Sequence, residues 1–156
     1  HPTTRLCLET LERYAKNGDE VLDIGCGSGI LSIATLLLGA KHALGVDIDS
    51  LAVKTAKENA KQNGFAEDRF TAVQGNLSDK VSGKFDIVVA NIVADIIMEF
   101  NTEVGKFLKD DGVYITGGII ENREDEVLYS FNQNGFKVIE RHENNGWLVF
   151  VLKKTL

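Results

Sequence analysis

Proline is almost missing from this chain. The only one, Pro2, stands at the start, so no proline breaks a helix or marks a linker in the residues that follow. Cysteine occurs twice, at Cys7 and Cys26, in no metal-ligand spacing. Such a pair forms either one disulfide or two thiols, and in a chain of this size two thiols are expected. No metal site is expected either. Long apolar runs are also absent. The longest, residues 30–40, ends at Gly39-Ala40, well short of the roughly 20 residues that span a bilayer. No basic stretch followed by an apolar one opens the chain, so neither a leader nor a membrane partner is expected, and a cytoplasmic location is. Positive charge is scarce too, with 17 Lys and Arg against 23 Asp and Glu and a net charge of -6. Direct nucleic-acid binding needs clustered cations at the phosphates and is not expected, whereas a basic protein partner suits the balance.

What is present is the composition of one soluble globular domain. The 156 residues are 44% hydrophobic and 26% charged, enough to bury a core without staples. Strand and helix signals alternate. Residues 4–16 carry Leu6, Leu8, Leu11 and Tyr14 near helical spacing, and Asn17-Gly18 stops them. Strands are expected at 20–24, 43–46, 70–73, 85–90 and 113–116. Helices are expected at 30–38, at 50–62 with Ser50 as its cap, at 94–108 and at 121–134. Asp110-Asp111-Gly112 reads as a turn. Residues 136–140 and 147–152, separated by Asn144-Asn145-Gly146, read as an antiparallel hairpin. Five β-then-α units and that hairpin imply a three-layer α/β/α sandwich around a mostly parallel sheet, in a single domain over 1–156.

The chemistry concentrates in Val21-Leu22-Asp23-Ile24-Gly25-Cys26-Gly27-Ser28-Gly29, a strand that enters a helix through Gly25, Gly27 and Gly29. Glycine allows unusual dihedrals and close approach of a ligand, and the next helix offers free N–H groups. The spacing separates cofactors. A dinucleotide loop runs G-x-G-x-x-G, but here the third glycine comes one residue early and Ile30 stands in its place. The Lys-Ser/Thr of a P-loop is missing as well. A nucleoside bearing an amino-acid tail fits better, with its carboxylate on backbone N–H groups and its ammonium on an acid such as Asp23.

The second strand ends at Asp47, with Ile48 beside it, 22 residues after Gly25. An acid there accepts hydrogen bonds from ribose hydroxyls, or else is a solvated turn residue. Asn76, past the third strand, meets the adenine edge or serves an ordinary turn. Asn91, past the fourth, faces a reacting centre or caps the next helix. Thr3 and Thr4 read as caps of the first helix, and His1 as a frayed terminus.

The glycine loop, Asp47 and the terminal hairpin resemble the seven-stranded, Rossmann-like class I methyltransferases. Two further segments resemble one family of these. His1-Pro2-Thr3-Thr4-Arg5-Leu6-Cys7-Leu8-Glu9 is similar to the entry segment of the bacterial methyltransferases that modify large-subunit ribosomal protein eleven. Asn91-Ile92-Val93-Ala94 is similar to their Asn-Ile-Leu-Ala motif, with Val93 for leucine. The resemblance implies S-adenosylmethionine as cofactor, with contacts at Thr4, Gly25, Asp47 and Asn91. It also implies trimethylation of the N-terminal α-amine and lysine ε-amines of that ribosomal protein. The chain starts at His1, after the family's Gly-Thr-Gly and its small recognition domain, so an upstream part is expected to supply substrate recognition.

An amine must be neutral to attack a methyl group, and lysine ordinarily titrates at about 10.4, so a dehydrating site is required. No His or Glu stands out as general base, since His42 and His142 both read as surface residues. Asn91 is the residue expected to orient the amine. A methyltransferase of another acceptor fits the loop and Asp47 equally well. A nicotinamide-binding oxidoreductase fits them less well, because of the early third glycine.

Overall fold

A computed structural model describes all 156 residues. The chain opens with helix α1 (Pro2–Tyr14). A first βαβαβ run follows as β1 (Glu20–Ile24), α2 (Ile30–Leu37), β2 (His42–Asp47), α3 (Ser50–Gln62) and β3 (Phe70–Gln74). Then come β4 (Phe85–Asn91), α4 (Ala94–Asn101), β5 (Leu108–Ile120), α5 (Glu124–Gln133), β6 (Phe136–Asn144) and β7 (Trp147–Lys154).

The seven strands form one sheet in the order β3-β2-β1-β4-β5-β7-β6. The pairs β1–β2, β1–β4, β2–β3 and β4–β5 are parallel, and β7 runs antiparallel to both its neighbours. Helices cover both faces. Cys7 and Leu11 of α1, Leu31 and Leu36 of α2, and Val53 and Ala56 of α3 pack on one side with Val21, Ile87 and Ile115. Ile97 and Phe100 of α4 and Val127 and Phe131 of α5 pack on the other with Leu22, Val88, Tyr114 and Phe150. Both faces of the central strands are thus dry, which is why β4 is apolar at nearly every position. Each large side chain fully buried there stabilises the fold by roughly 1.5–3 kcal/mol.

Several boundaries differ from the sequence expectation. The helix expected over 94–108 stops at Asn101, and a single 3₁₀ turn, Val104–Lys106, follows. Asn101 is buried and fully engaged: its amide donates to Ser130 Oγ at 2.9 Å and its carbonyl accepts from the Tyr114 hydroxyl at 2.8 Å. Leu108 then opens β5 opposite Phe85. Asp110-Asp111-Gly112 lies inside β5 rather than in a separate turn. Between the pairs Phe85↔Leu108 and Ile87↔Val113, β4 advances two residues and β5 five, so the turn-like residues occupy a bulge. A 3₁₀ turn at Glu121–Arg123 precedes α5, which starts later than expected.

Four strands, not five, are followed by a helix. β3 and β4 are joined by a loop in which the Ser78 hydroxyl donates to Glu103, fastening the loop beside the 3₁₀ turn after α4. Asp49, not Ser50, caps α3, by accepting the Leu51 N–H at 2.9 Å. His1 caps α1, accepting the Thr3 N–H through Nδ1, and its ring forms a T-shaped pair with that of Trp147, the ring centres 4.7 Å apart. His1 is thus the cap rather than a frayed end, and its Nδ1 also lies 2.9 Å from the Thr3 hydroxyl. The hairpin turns through Asn145-Gly146, both with positive φ (52° and 81°), the geometry that Asn-Gly favours.

Candidate cofactor-binding site

β1, β2, β3 and β4 all end at the same edge of the sheet, where strand order reverses between β1 and β4. A crevice of about 410 Å³ opens there. Its floor is Ile24, Gly25 and Val46, and its walls are Leu77 on one side and Ile92, Val93 and Ile96 on the other. Ligands of open α/β sheets bind at this position.

The glycine loop shapes the floor. Gly25, Gly27 and Gly29 have φ of 71°, 52° and 83°, a region that side chains disfavour. The Gly25 and Cys26 N–H groups donate to the Val46 carbonyl at 2.7 and 3.0 Å, and Gly29 N–H donates to the Cys26 carbonyl at 2.8 Å. A Cβ on Gly25 would lie 2.5 Å from Ile92 Cγ2, so the loop after β4 closes directly over it. A Cβ on Gly29 would lie 3.2 Å from that of Ala56, which shows that this glycine seats α2 against α3.

Of the residues singled out in the sequence, Gly25, Asp47, Ile48 and Asn76 line the crevice. Asp47 stands at the end of β2. Its carboxylate accepts the N–H groups of Gly27 and Asp49 at 2.9 and 3.0 Å. Ile48 is largely exposed on the rim. Asn76 donates its backbone N–H to Asp79 at 3.0 Å, so it belongs to a turn while also bordering the cavity.

Gly27, Gly29, Asp23, Thr4 and Asn91 do not line it. Asp23 is buried beneath the loop and accepts the Ser32 hydroxyl at 2.7 Å. Burial pushes its carboxyl up to about 7; the Ser32 bond opposes the shift and the charge of Asp47 adds to it. Thr4 and Asn91 meet on the α1 side of the sheet, with the Asn91 amide 3.4 Å from the Thr4 hydroxyl. The Asn91 carbonyl oxygen is buried without a partner.

Three features escaped the sequence reading. Leu77 lines the crevice with φ of 54°, uncommon for a residue with a branched side chain. Ile92 and Val93 form a wall. Gly117-Gly118 in β5 makes room for the loop after β4: a Cβ on Gly117 would lie 2.8 Å from the Asn91 carbonyl oxygen, and one on Gly118 2.7 Å from the Ile92 carbonyl. A glycine pair inside an apolar strand is the signal that marks such close approach. Cys7 and Cys26 are free thiols, as expected; both are buried, and burial pushes the Cys7 thiol up to about 12. No group of three His, Cys, Asp or Glu side chains is placed to hold a metal ion, and no helix is long and apolar enough to cross a membrane.

The strand order, the single antiparallel strand β7 and the crevice beyond a glycine loop define a Rossmann-like methyltransferase fold. The model of the family described as ribosomal protein L11 methyltransferase (PrmA) matches residues 1–155, and the chain belongs to that family. A Dictyoglomus thermophilum protein named ribosomal protein L11 methyltransferase is 51% identical over 153 residues, covering 98% of this chain and 50% of that protein. A Caldicellulosiruptor bescii protein of the same name is 47% identical over 156 residues, covering 100% of this chain and 50% of the relative. The chain therefore spans about half the length of the curated relatives it matches. The crystal structure of a ribosomal protein L11 methylase from Lactobacillus delbrueckii subsp. bulgaricus superimposes with a TM-score of 0.96 at 32% identity, over 100% of this chain and 80% of that one.

Proposed function

We propose that residues 1–156 form the cofactor-binding, catalytic domain of a cytoplasmic S-adenosylmethionine-dependent protein N-methyltransferase. Its acceptors are the N-terminal α-amine and lysine ε-amines of ribosomal protein L11. The observation that carries the cofactor is the placement of Asp47 at the mouth of an apolar crevice floored by Gly25. A carboxylate has about four lone-pair sites, and two remain beyond the backbone bonds of Asp47 for a ribose diol. Leu77, Ile92 and Val93 offer the apolar walls that a purine ring needs, and Asn76 borders its edge. Most N–H groups of the loop are bonded within the protein, so the first turn of α2 is left for a carboxylate tail. The acceptor is supported by family membership and by the names of the relatives.

Bound S-adenosylmethionine supplies a methyl group already activated by its positive sulfur. The protein then has to bind, orient and dehydrate. Asn91 orients the incoming amine through its carbonyl oxygen, an acceptor that has no partner of its own. Thr4, bonded to the Asn91 amide, holds that side chain at the α1 edge. The apolar walls exclude water, which lowers the affinity of the amine for its proton.

The test is methyl transfer from labelled S-adenosylmethionine to purified L11, with the chain extended to the length of its relatives. Label on L11 amines supports the proposal. Label on another acceptor, with L11 unmarked, contradicts the choice of acceptor.

A further inference from the structure

The acid at the mouth of the crevice has a second attachment. Asp47 Oδ2 accepts the N–H of Gly27, the middle glycine of the loop, at 2.9 Å, while Oδ1 accepts the Asp49 N–H at 3.0 Å. The loop is otherwise tied to β2 through backbone only, by Gly25 and Cys26 on the Val46 carbonyl. Nothing packs where a Gly27 side chain would stand, since a Cβ there meets no atom within 4 Å. Gly27 at the apex of the loop is therefore held to β2 by one side chain, while the next residue, Ser28, is tied to α3 by the Asn59 amide, which donates to its carbonyl at 2.8 Å.

We propose that Asp47 is also a positioning residue for the glycine loop: one carboxylate anchors Gly27 and receives the ribose hydroxyls, so a single side chain sets both ends of the nucleoside site. The inference rests on the reading of the crevice as the S-adenosylmethionine site. The chemistry requires a carboxylate. Two backbone N–H groups and two hydroxyls together ask for four acceptor positions, and an asparagine offers two while turning a donor toward one of the N–H groups. A ribose contact alone makes no such demand, because a side-chain amide also bonds hydroxyls.

Calorimetry separates the two roles. S-Adenosylhomocysteine and its 2′,3′-dideoxy counterpart are titrated into the wild-type chain and into Asp47→Asn. An aspartate that only binds ribose loses its purpose with the dideoxy ligand, and both proteins then bind that ligand equally. An aspartate that also anchors the loop still matters, and Asp47→Asn binds the dideoxy ligand about tenfold more weakly. Exchange of the Gly27 amide in the free chain gives a readout untouched by ligand charge, and is expected to be about tenfold faster in Asp47→Asn. Equal affinity for the dideoxy ligand, or an unchanged Gly27 exchange rate, overturns the proposal. If Asp47→Asn does not fold, the wild-type Gly27 amide decides, since exchange as fast as in an open chain overturns the anchor and protection supports it. Failure of the wild type to bind either ligand sinks the cofactor reading instead and leaves the exchange test standing.

Discussion

The Asn91 amide donates to the Thr4 hydroxyl across 87 residues of sequence. That bond joins the end of β4 to the first turn of α1 and leaves the Asn91 carbonyl oxygen buried and unpaired. A buried acceptor without a partner costs about 1–3 kcal/mol, which an incoming donor would recover.

Replacing Asn91 with Ala is therefore expected to lower turnover by about 100-fold or more while changing cofactor affinity by less than about threefold. Steady-state kinetics and calorimetry measure the two separately. Equal turnover in the two proteins removes Asn91 from the mechanism.

Gly25→Ala tests the floor of the crevice. The substitution forces a side chain into φ of 71° and drives a Cβ to 2.5 Å from Ile92. A loss of about 1–3 kcal/mol in stability is expected, from strain and displacement of the loop. Cofactor affinity should fall by more than tenfold in the protein that remains folded. Urea denaturation and calorimetry report the two effects.

Much of this site was legible beforehand, because its signals are local. β1 and α3 fall at the expected residues, and Gly25 and Asp47 reach the crevice that their strand ends predict. What the sequence leaves open depends on distant partners. Phe107 and Leu108 continue the apolar pattern of α4, and only the pairing of Leu108 with Phe85 assigns it to β5. Asn91 and Thr4 meet only because α1 packs across β4 and β5. Asp23, which the sequence offers as a partner for a ligand ammonium, lies beneath the loop with the Ser32 hydroxyl on one carboxylate oxygen, a contact that only the packing of α2 reveals.

That burial of Asp23 has a consequence in pH. Its carboxyl titrates at about 7 in the fold and at about 3.8 when free, chiefly through desolvation. The native state therefore holds the proton more tightly than the unfolded state. Asp23 favours folding fully below about pH 3.8, and this contribution is lost as pH rises toward 7. Asp23→Asn should flatten the fall in stability between pH 4 and 7, as read from urea midpoints. An unchanged slope contradicts the assignment.

Glu140 acts in the opposite sense. Burial pushes its carboxyl up, but hydrogen bonds from Tyr14, His142 and Arg13 outweigh this and hold it down to about 2. Its contribution is present above the ordinary value of 4.5 and is lost as pH falls through 2. Because the group is partly open to solvent, the effect is expected to be small. Glu140→Gln should bring a shallower loss of stability between pH 4.5 and 2, together with weaker docking of α1 on β6 that amide exchange in α1 can detect.

Amide NMR of the isotope-labelled chain during titration with S-adenosylhomocysteine addresses the cofactor most directly. Shifts concentrated at Gly25, Ile48, Leu77 and Val93, and absent when NAD is titrated instead, are the predicted result. Undisturbed resonances at those four positions, or the same shifts produced by NAD, would contradict it.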